Sequence, residues 1–400
     1  MRLLMLNNEF PPLGGGTGTV NLALLHRFAR VPDLEIELVT SALGRREEEE
    51  QFSEGIRILK VPVNNRNLHH STNRELLTYA GRALPLALRR HRHSPYDFCF
   101  AWSTVPAGGV AFGLRRIAGL RYLVRVSGPD IPGFERRYGP LYPFLTPAIR
   151  TIWHGSEVVV AKCAGEAAMI RAVDRRVPIA IVPNGVDLDV FRPGEPIAGE
   201  APLRLLCVGR LIERKGQQHL VEAVRRLTSE GIDVTLELVG TGDAETALKA
   251  QVRKLGLEES VRFRGYMPRE EIGASYAAAH VFVLASYNEG MSVATLEAMA
   301  AGLPIVVTQT GGTAELVEEG VSGLTFRRAD VDTLVGHLRR LALDRGLARR
   351  MGTASRSRAA GFTWDAAAVR YLELLDPSGV PALQTSPAFD RDPCAASADR

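Results

Sequence analysis

Two glutamates, Glu289 and Glu297, stand at the ends of the stretch "EGMSVATLE". Carboxylates are good acceptors for the paired hydroxyls of a sugar or a ribose. Between them, Ser292 precedes a run of good helix formers, which predicts an N-cap, a helix over "SVATLEAMAA" and a stop at Gly302. The backbone N–H groups of Gly290, Met291 and Ser292 then fall at a helix N-terminus, where an anion binds favourably. A second stretch, "VGRLIERKG", ends a strand with Gly209 and supplies Arg210 and Lys215 before another helix. Two fixed cations at a strand's carboxyl end stabilise the charge that develops on a diphosphate leaving group. A third, "NEFPPLGGGTGTV", places Gly14, Gly15, Gly16 and Gly18 ahead of a helix, so that backbone can approach a phosphate closely. No Gly-Lys-Ser/Thr follows, and the spacing is not that of a dinucleotide fingerprint. A lone Glu or Arg on a helix is usually a solvated surface group. Here the three stretches recur together at strand ends.

Strand-like and helix-like segments that alternate along the chain must position these residues. The strand candidates are "RLLMLN", "EIELVTS", "IRILKVPV", "FCFAWS", "YLVRVSG", "EVVVAK" and "IAIVPNG", then "LRLLCVG", "DVTLELVG", "VRFRG", "VFVLAS", "PIVVT" and "GLTF". Their continuous apolar runs imply mainly parallel sheets covered by helices on both faces. A Pro-, Gly- and Glu-rich stretch without periodicity interrupts the series. We therefore expect an α/β protein of two Rossmann-like domains: residues 1–185, a linker over 186–202, and residues 203–360. A final amphipathic helix is expected over 361–376, followed by a disordered tail over 377–400.

The composition sets outer limits. A chain of 400 residues, 46% hydrophobic and 24% charged, is long enough for two cores and balanced like a globular protein. Cys99, Cys163, Cys207 and Cys394 form neither a C-x-x-C pair nor a metal-ligand spacing, so reduced thiols in a cytoplasmic protein are expected. The chain opens directly on a strand, with no secretory signal and no apolar run long enough to span a bilayer. The net charge of +4 is uneven, being +8 over residues 1–180 and −4 over the remainder. The basic half lacks a nucleic-acid module, so nucleic acid is not expected as a partner; an anionic small molecule or membrane surface is.

Taken in order, these motifs resemble the retaining glycosyltransferases of family 4, which have the GT-B fold. The resemblance runs from the glycine loop to "FTWDAAAVRYL", and its most specific parts are the Glu289/Glu297 element, "VGRLIERKG" and "VPNGVDLDVF". It implies two domains facing each other across a cleft, with the last helix crossing back to the first. Arg210 and Lys215 would bind the diphosphate of a nucleotide-sugar donor, and Glu297 the ribose hydroxyls. Glu289 and the amides of Gly290, Met291 and Ser292 would hold the transferred sugar and its phosphate. The loop of Gly14, Gly15 and Gly16 would close over that phosphate, and backbone near Met267 would contact the base. The acceptor would be a glycan or a lipid-linked sugar in cell-surface polysaccharide or glycolipid assembly. A phosphorylase, an epimerase, or a non-catalytic nucleotide-sugar-binding partner of another transferase are the alternatives.

The chain departs from the family where a His-Gly pair is common. It has "RVSGPDIPGF", with Ser127 at the His position, which makes Asp130 either an acceptor-side carboxylate or a turn residue. Two segments, residues 74–93 and 136–153, mix arginines with apolar and aromatic side chains. The first puts Leu76, Leu77, Ala80, Leu84 and Leu88 along one apolar side, which would either pack inward or seat the protein on the inner face of an anionic membrane. Asp187 and Asp189 have a D-x-D form but fall after Asn184 and Gly185, at the start of the linker. The histidines, among them His69, His70 and the "HRH" at 91–93, lack carboxylate partners at ligand spacing, so no metal or other cofactor is expected. Activity should therefore survive excess EDTA; abolition by EDTA, with rescue by a divalent ion, would return Asp187 and Asp189 to the site.

Overall fold

The computed structural model describes residues 1–11, 13–65, 71–135, 139–194 and 202–376. The linker residues 195–201, His69, His70, Arg136, Arg137, Cys394 and the tail over 377–400 lie outside the described residues.

Eight strands form the first sheet: β1 (Arg2–Leu6), β2 (Glu35–Ala42), β3 (Glu48–Ser53), β4 (Ile56–Pro62), β5 (Phe98–Ala101), β6 (Tyr122–Arg125), β7 (Val159–Ala161) and β8 (Ile179–Ile181). Their order is β3-β4-β2-β1-β5-β6-β7-β8. Every pairing is parallel except that of β3 with β4. The second sheet holds β9 (Leu203–Val208), β10 (Val234–Val239), β11 (Val261–Gly265), β12 (Val281–Leu284), β13 (Ile305–Thr308) and β14 (Gly323–Phe326), ordered β11-β10-β9-β12-β13-β14 and wholly parallel. The central strands are buried along their length, as their unbroken apolar sequences require. This is the GT-B architecture.

Strand order also says where a ligand belongs. In each sheet the first strand has its successor on one side and a later strand on the other, β1 between β2 and β5, and β9 between β10 and β12. Such switch points open a crevice at the carboxyl ends of the strands. The loops leaving β1, β9 and β12 are those that carry the glycine run, Arg210 and Glu289.

The chain leaves the first sheet and returns to it at one place. Val186 bridges Thr363, and Val186 N donates to Phe362 O at 2.8 Å. The approach is so close that a Cβ on Gly185 would lie 2.4 Å from Trp364 N. From there the helix Trp364–Leu375 lies on the first sheet: Trp364, Ala368, Tyr371 and Leu375 share a buried cluster with Leu3, Met5, Phe100 and Val182. Thr363 caps that helix by accepting from Ala366 N.

Two sequence expectations need correction. Strand β3 was not legible, because "EEEQFS" has no apolar face. It is an exposed antiparallel edge whose glutamates pair with Arg57, Lys60 and Arg90 rather than enter a core. The apolar side named over 74–93 packs inward only in part: Ala80, Leu84 and Leu88 lie half-buried against the core. The helix Asn73–His93 buries Glu75, Tyr79, Ala83, Leu86 and Ala87, whereas Leu77 is 75% exposed. Glu75 is spent in a capping box with Thr72, and Tyr79 donates to Val39 O at 2.8 Å, so both polar groups go inward satisfied.

Candidate active site

One cleft of about 1700 Å³ runs between the two sheets' carboxyl edges. From the second sheet it is lined by Gly209, Arg210 and Lys215 after β9, by Met267 after β11, and by Glu289, Gly290, Met291, Ser292 and Glu297 after β12. Gly16 and Asp130 line it from the first. Gly14 and Gly15 stand behind Gly16; a side chain on Gly15 would come within 3.7 Å of Arg210 Nε, so the glycine run faces this cation across the cleft.

The loops after β9 and β12 are laced together. Lys215 ends a single helical turn, Glu213–Lys215, and its Nζ meets Glu289 Oε1 at 2.6 Å, with both side chains about 15% exposed. Arg214 Nη1 donates to Asn288 O at 2.9 Å, and Tyr287 N donates to Arg214 O at 2.8 Å. Burial works to raise the Glu289 carboxyl, but Lys215 and then Arg214 outweigh it and hold it below the usual carboxylate range.

Ser292 caps the helix Val293–Ala300, its hydroxyl accepting from Thr295 N at 3.2 Å. Gly302, at φ +72°, follows the helix end. The N–H groups of Gly290, Met291 and Ser292 donate to no protein acceptor among the described residues, although all three residues line the cleft. Gly290 sits against the first domain: a Cβ there would lie 2.1 Å from Glu166 Oε1, so a side chain would displace that carboxylate. Glu297 is 7% exposed, and its Oε2 accepts from the hydroxyl of Tyr276 at 2.8 Å. That bond orients the carboxylate, which lines the cleft.

Asp130 lines the cleft and also braces a turn. Its Oδ2 accepts from Thr104 N at 2.6 Å, and its Oδ1 from Ser127 N at 2.9 Å and Ser127 Oγ at 3.2 Å. It lines the cleft with both oxygens engaged in holding the loop after β6. Asp187 and Asp189 do not converge. Asp187 pairs with Arg27, while the Asp189 carboxylate is fully exposed and lies 3.6 Å from Arg192. Among the described residues no group of three or more His, Cys, Asp or Glu side chains is arranged to hold a metal ion.

Sequence reasoning missed Tyr276, Asn288 and Asn184. Tyr276 sits in the helix Arg269–Ala278, where an aromatic reads as core. Asn288 Nδ2 reaches across the cleft to Phe134 O at 2.6 Å, and Asn184 Nδ2 donates to Met291 O at 2.9 Å. The only sequence signal for the last two was their place beside quoted motifs.

Comparison with known proteins fits this geometry. Residues 15–185 match the family described as glycosyl transferase 4-like domain, and residues 193–358 the one described as glycosyl transferases group 1. The chain belongs to this glycosyltransferase family, with the GT-B fold. It is 27% identical over 393 residues to a GDP-mannose-dependent alpha-(1-6)-phosphatidylinositol monomannoside mannosyltransferase of Mycolicibacterium smegmatis, covering 93% of this chain and 98% of that one. It is 36% identical over 221 residues to a D-inositol 3-phosphate glycosyltransferase of Corynebacterium jeikeium, about half of each chain. Among solved structures, sucrose-phosphate synthase from Thermosynechococcus elongatus superposes with a TM-score of 0.82 at 20% identity, covering 94% of this chain and 98% of that one. Anabaena HepE in complex with UDP-glucose gives 0.73 at 19%, covering 94% and 100%.

The Lys215–Glu289 pair makes a pH prediction. A carboxyl held below its unfolded value contributes stability that is present above about pH 4.5 and is lost as pH falls through the lowered native value. Glu289→Gln leaves the lysine unmatched and should cost on the order of 3 kcal/mol at pH 7. Urea unfolding of both proteins from pH 7 to pH 3 should show that gap closing below pH 4.5. A gap that stays constant would remove the pair from the account.

Proposed function

We propose that this protein is a metal-independent, retaining glycosyltransferase that moves a sugar from a nucleotide-diphosphate sugar to a glycan or lipid-linked acceptor. The observation that carries the reading is one cleft wall. It puts two cations, Arg210 and Lys215, beside a helix N-terminus with unused N–H groups, and sets the buried carboxylate of Glu297 further along that helix. A diphosphate fits the cations and amides, and a ribose fits the carboxylate. Met267, after β11, is placed for backbone contact with the base. The mycobacterial relative's name specifies GDP-mannose and a phosphatidylinositol mannoside, and the HepE structure holds UDP-glucose. Both support UDP- or GDP-sugars as donors and a role in cell-surface polysaccharide or glycolipid assembly.

The chemistry follows from which wall holds the leaving group. Glu289 and Glu297 both approach from the second domain, and Asp130, on the facing domain, has its oxygens engaged by Thr104 and Ser127. Double displacement needs a free carboxylate on the face opposite the leaving group, with a second acid/base group at a defined separation. Attack on the leaving group's own face remains. The departing phosphate oxygen takes the acceptor's proton, while Arg210, Lys215 and the amides stabilise the developing charge. Arg210→Ala and Lys215→Ala should each lower turnover by roughly 10²-fold. Proton NMR should show the donor's anomer in the product, with no sugar adduct on the enzyme by mass spectrometry. Near-normal turnover in both variants would overturn the cation assignment, and an inverted product would overturn retention.

A seat on the inner face of the cytoplasmic membrane has its own support. Leu77 is 75% exposed and Phe144 81%, with Leu141 and Leu145 also exposed, on two helices that flank the cleft in the basic first domain. Among the described residues no helix is long and apolar enough to cross a membrane. We expect the protein to float with vesicles containing anionic lipid and not with neutral ones, and Leu77→Ser with Phe144→Ser to abolish flotation. Flotation unaffected by lipid charge and by both changes would refute this seat.

A further inference from the structure

Arg125 ends β6, and its side chain is among the largest in the molecule to be wholly buried, at 1% exposure. Both of its hydrogen bonds run to neutral groups. Nε donates to the Tyr371 hydroxyl oxygen at 3.0 Å, and Nη2 to Asn184 Oδ1 at 2.7 Å. The guanidinium also lies 5.0 Å from the centroid of the Trp102 ring. Among the described residues no carboxylate pairs with it, so this charge is buried without the partner that would normally justify it.

Asn184 passes the constraint onward. Its Nδ2 donates to Met291 O at 2.9 Å, and its backbone N to Met291 Sδ at 3.2 Å. A carboxamide has one accepting end and one donating end. With Oδ1 held by a guanidinium that can only donate, Nδ2 must face Met291. If the amide flipped, an oxygen would stand against the Met291 carbonyl. Tyr371 aims the guanidinium from the other side and belongs to the helix that returns to the first sheet. A row of three hydrogen bonds thus runs from the last helix, through the first sheet, to the loop that opens the helix Val293–Ala300.

We propose that Arg125 is a positioning residue for the donor loop. Acting through Asn184, it fixes the Met291 peptide and so aims the N–H groups of Gly290 to Ser292 at the donor's phosphate. This rests on the reading of that loop as the phosphate-binding element. It also makes donor binding depend on the docking of the last helix, because Tyr371 is one end of the row.

A double-mutant cycle tests the relay. Calorimetric affinity for UDP and for GDP would be measured on the full chain, on Arg125→Met, on Asn184→Ala and on the double variant. We expect each single change to weaken nucleoside diphosphate binding about 10-fold and the double to be no worse than either single, because one path is broken once. Donor KM should rise more than kcat falls. Should Arg125→Met fail to fold, the same cycle run with Tyr371→Phe, which removes one hydroxyl from a packed ring, should show the same non-additivity. Single variants that bind like the wild type would overturn the relay. So would losses that multiply to about 100-fold, or a lower urea midpoint with unchanged affinity in the folded protein. A wild-type chain that binds neither nucleotide would overturn the phosphate-loop reading, and the relay with it.

Discussion

The rest of this site depends on the pairing of Glu289, drawn into the wall of the cleft, with Lys215. The two residues leave adjacent parallel strands, β12 and β9, so their loops emerge side by side whatever else the sequence does. The ion pair, with Arg214 bound to the Asn288 carbonyl, turns two neighbouring loops into one body. Once they are joined, the N-terminus of the helix Val293–Ala300 is fixed relative to Arg210. The proposed anion site is then a property of the sheet edge rather than of a separate loop.

The facing domain meets this body at close quarters. Gly290 meets the Glu166 carboxylate, which is itself paired with Lys162 at 2.6 Å. Asn288 and Asn184 reach between the domains to carbonyl oxygens of Phe134 and Met291. Apolar packing joins these polar contacts: Cys163 lies in the second domain's buried cluster, and Val293 packs against the first domain's.

How much of this was legible follows from what each residue does. The central strands were, because burial on both faces demands an unbroken apolar run; the edge strand β3, mostly exposed and packing inward through Phe52, left no such trace. The cleft placement of Glu289 and Glu297 and the cap at Ser292 could be read because all three lie within a few residues of one another in sequence. Tyr276, Asn184 and Arg125 could not. Their partners stand 21, 107 and 246 residues away, at Glu297, Met291 and Tyr371. For Asp130 the sequence left a choice between acceptor chemistry and a turn; it accepts from the N–H groups of Ser127 and Thr104 while lining the cleft. The helix Asn73–His93 was legible in part: Ala80, Leu84 and Leu88 pack half-buried on the core, while Tyr79, its hydroxyl satisfied by Val39 O, goes fully inward.

The central claim is that a nucleotide-sugar's diphosphate binds where the loops after β9 and β12 meet. The most direct test is an experimentally determined structure of the protein with a bound nucleoside diphosphate. The account predicts the two phosphates between Arg210, Lys215 and the amides of Gly290 to Ser292, with the ribose hydroxyls on Glu297. A diphosphate seated elsewhere in the cleft, or a ribose that leaves Glu297 untouched, would contradict it.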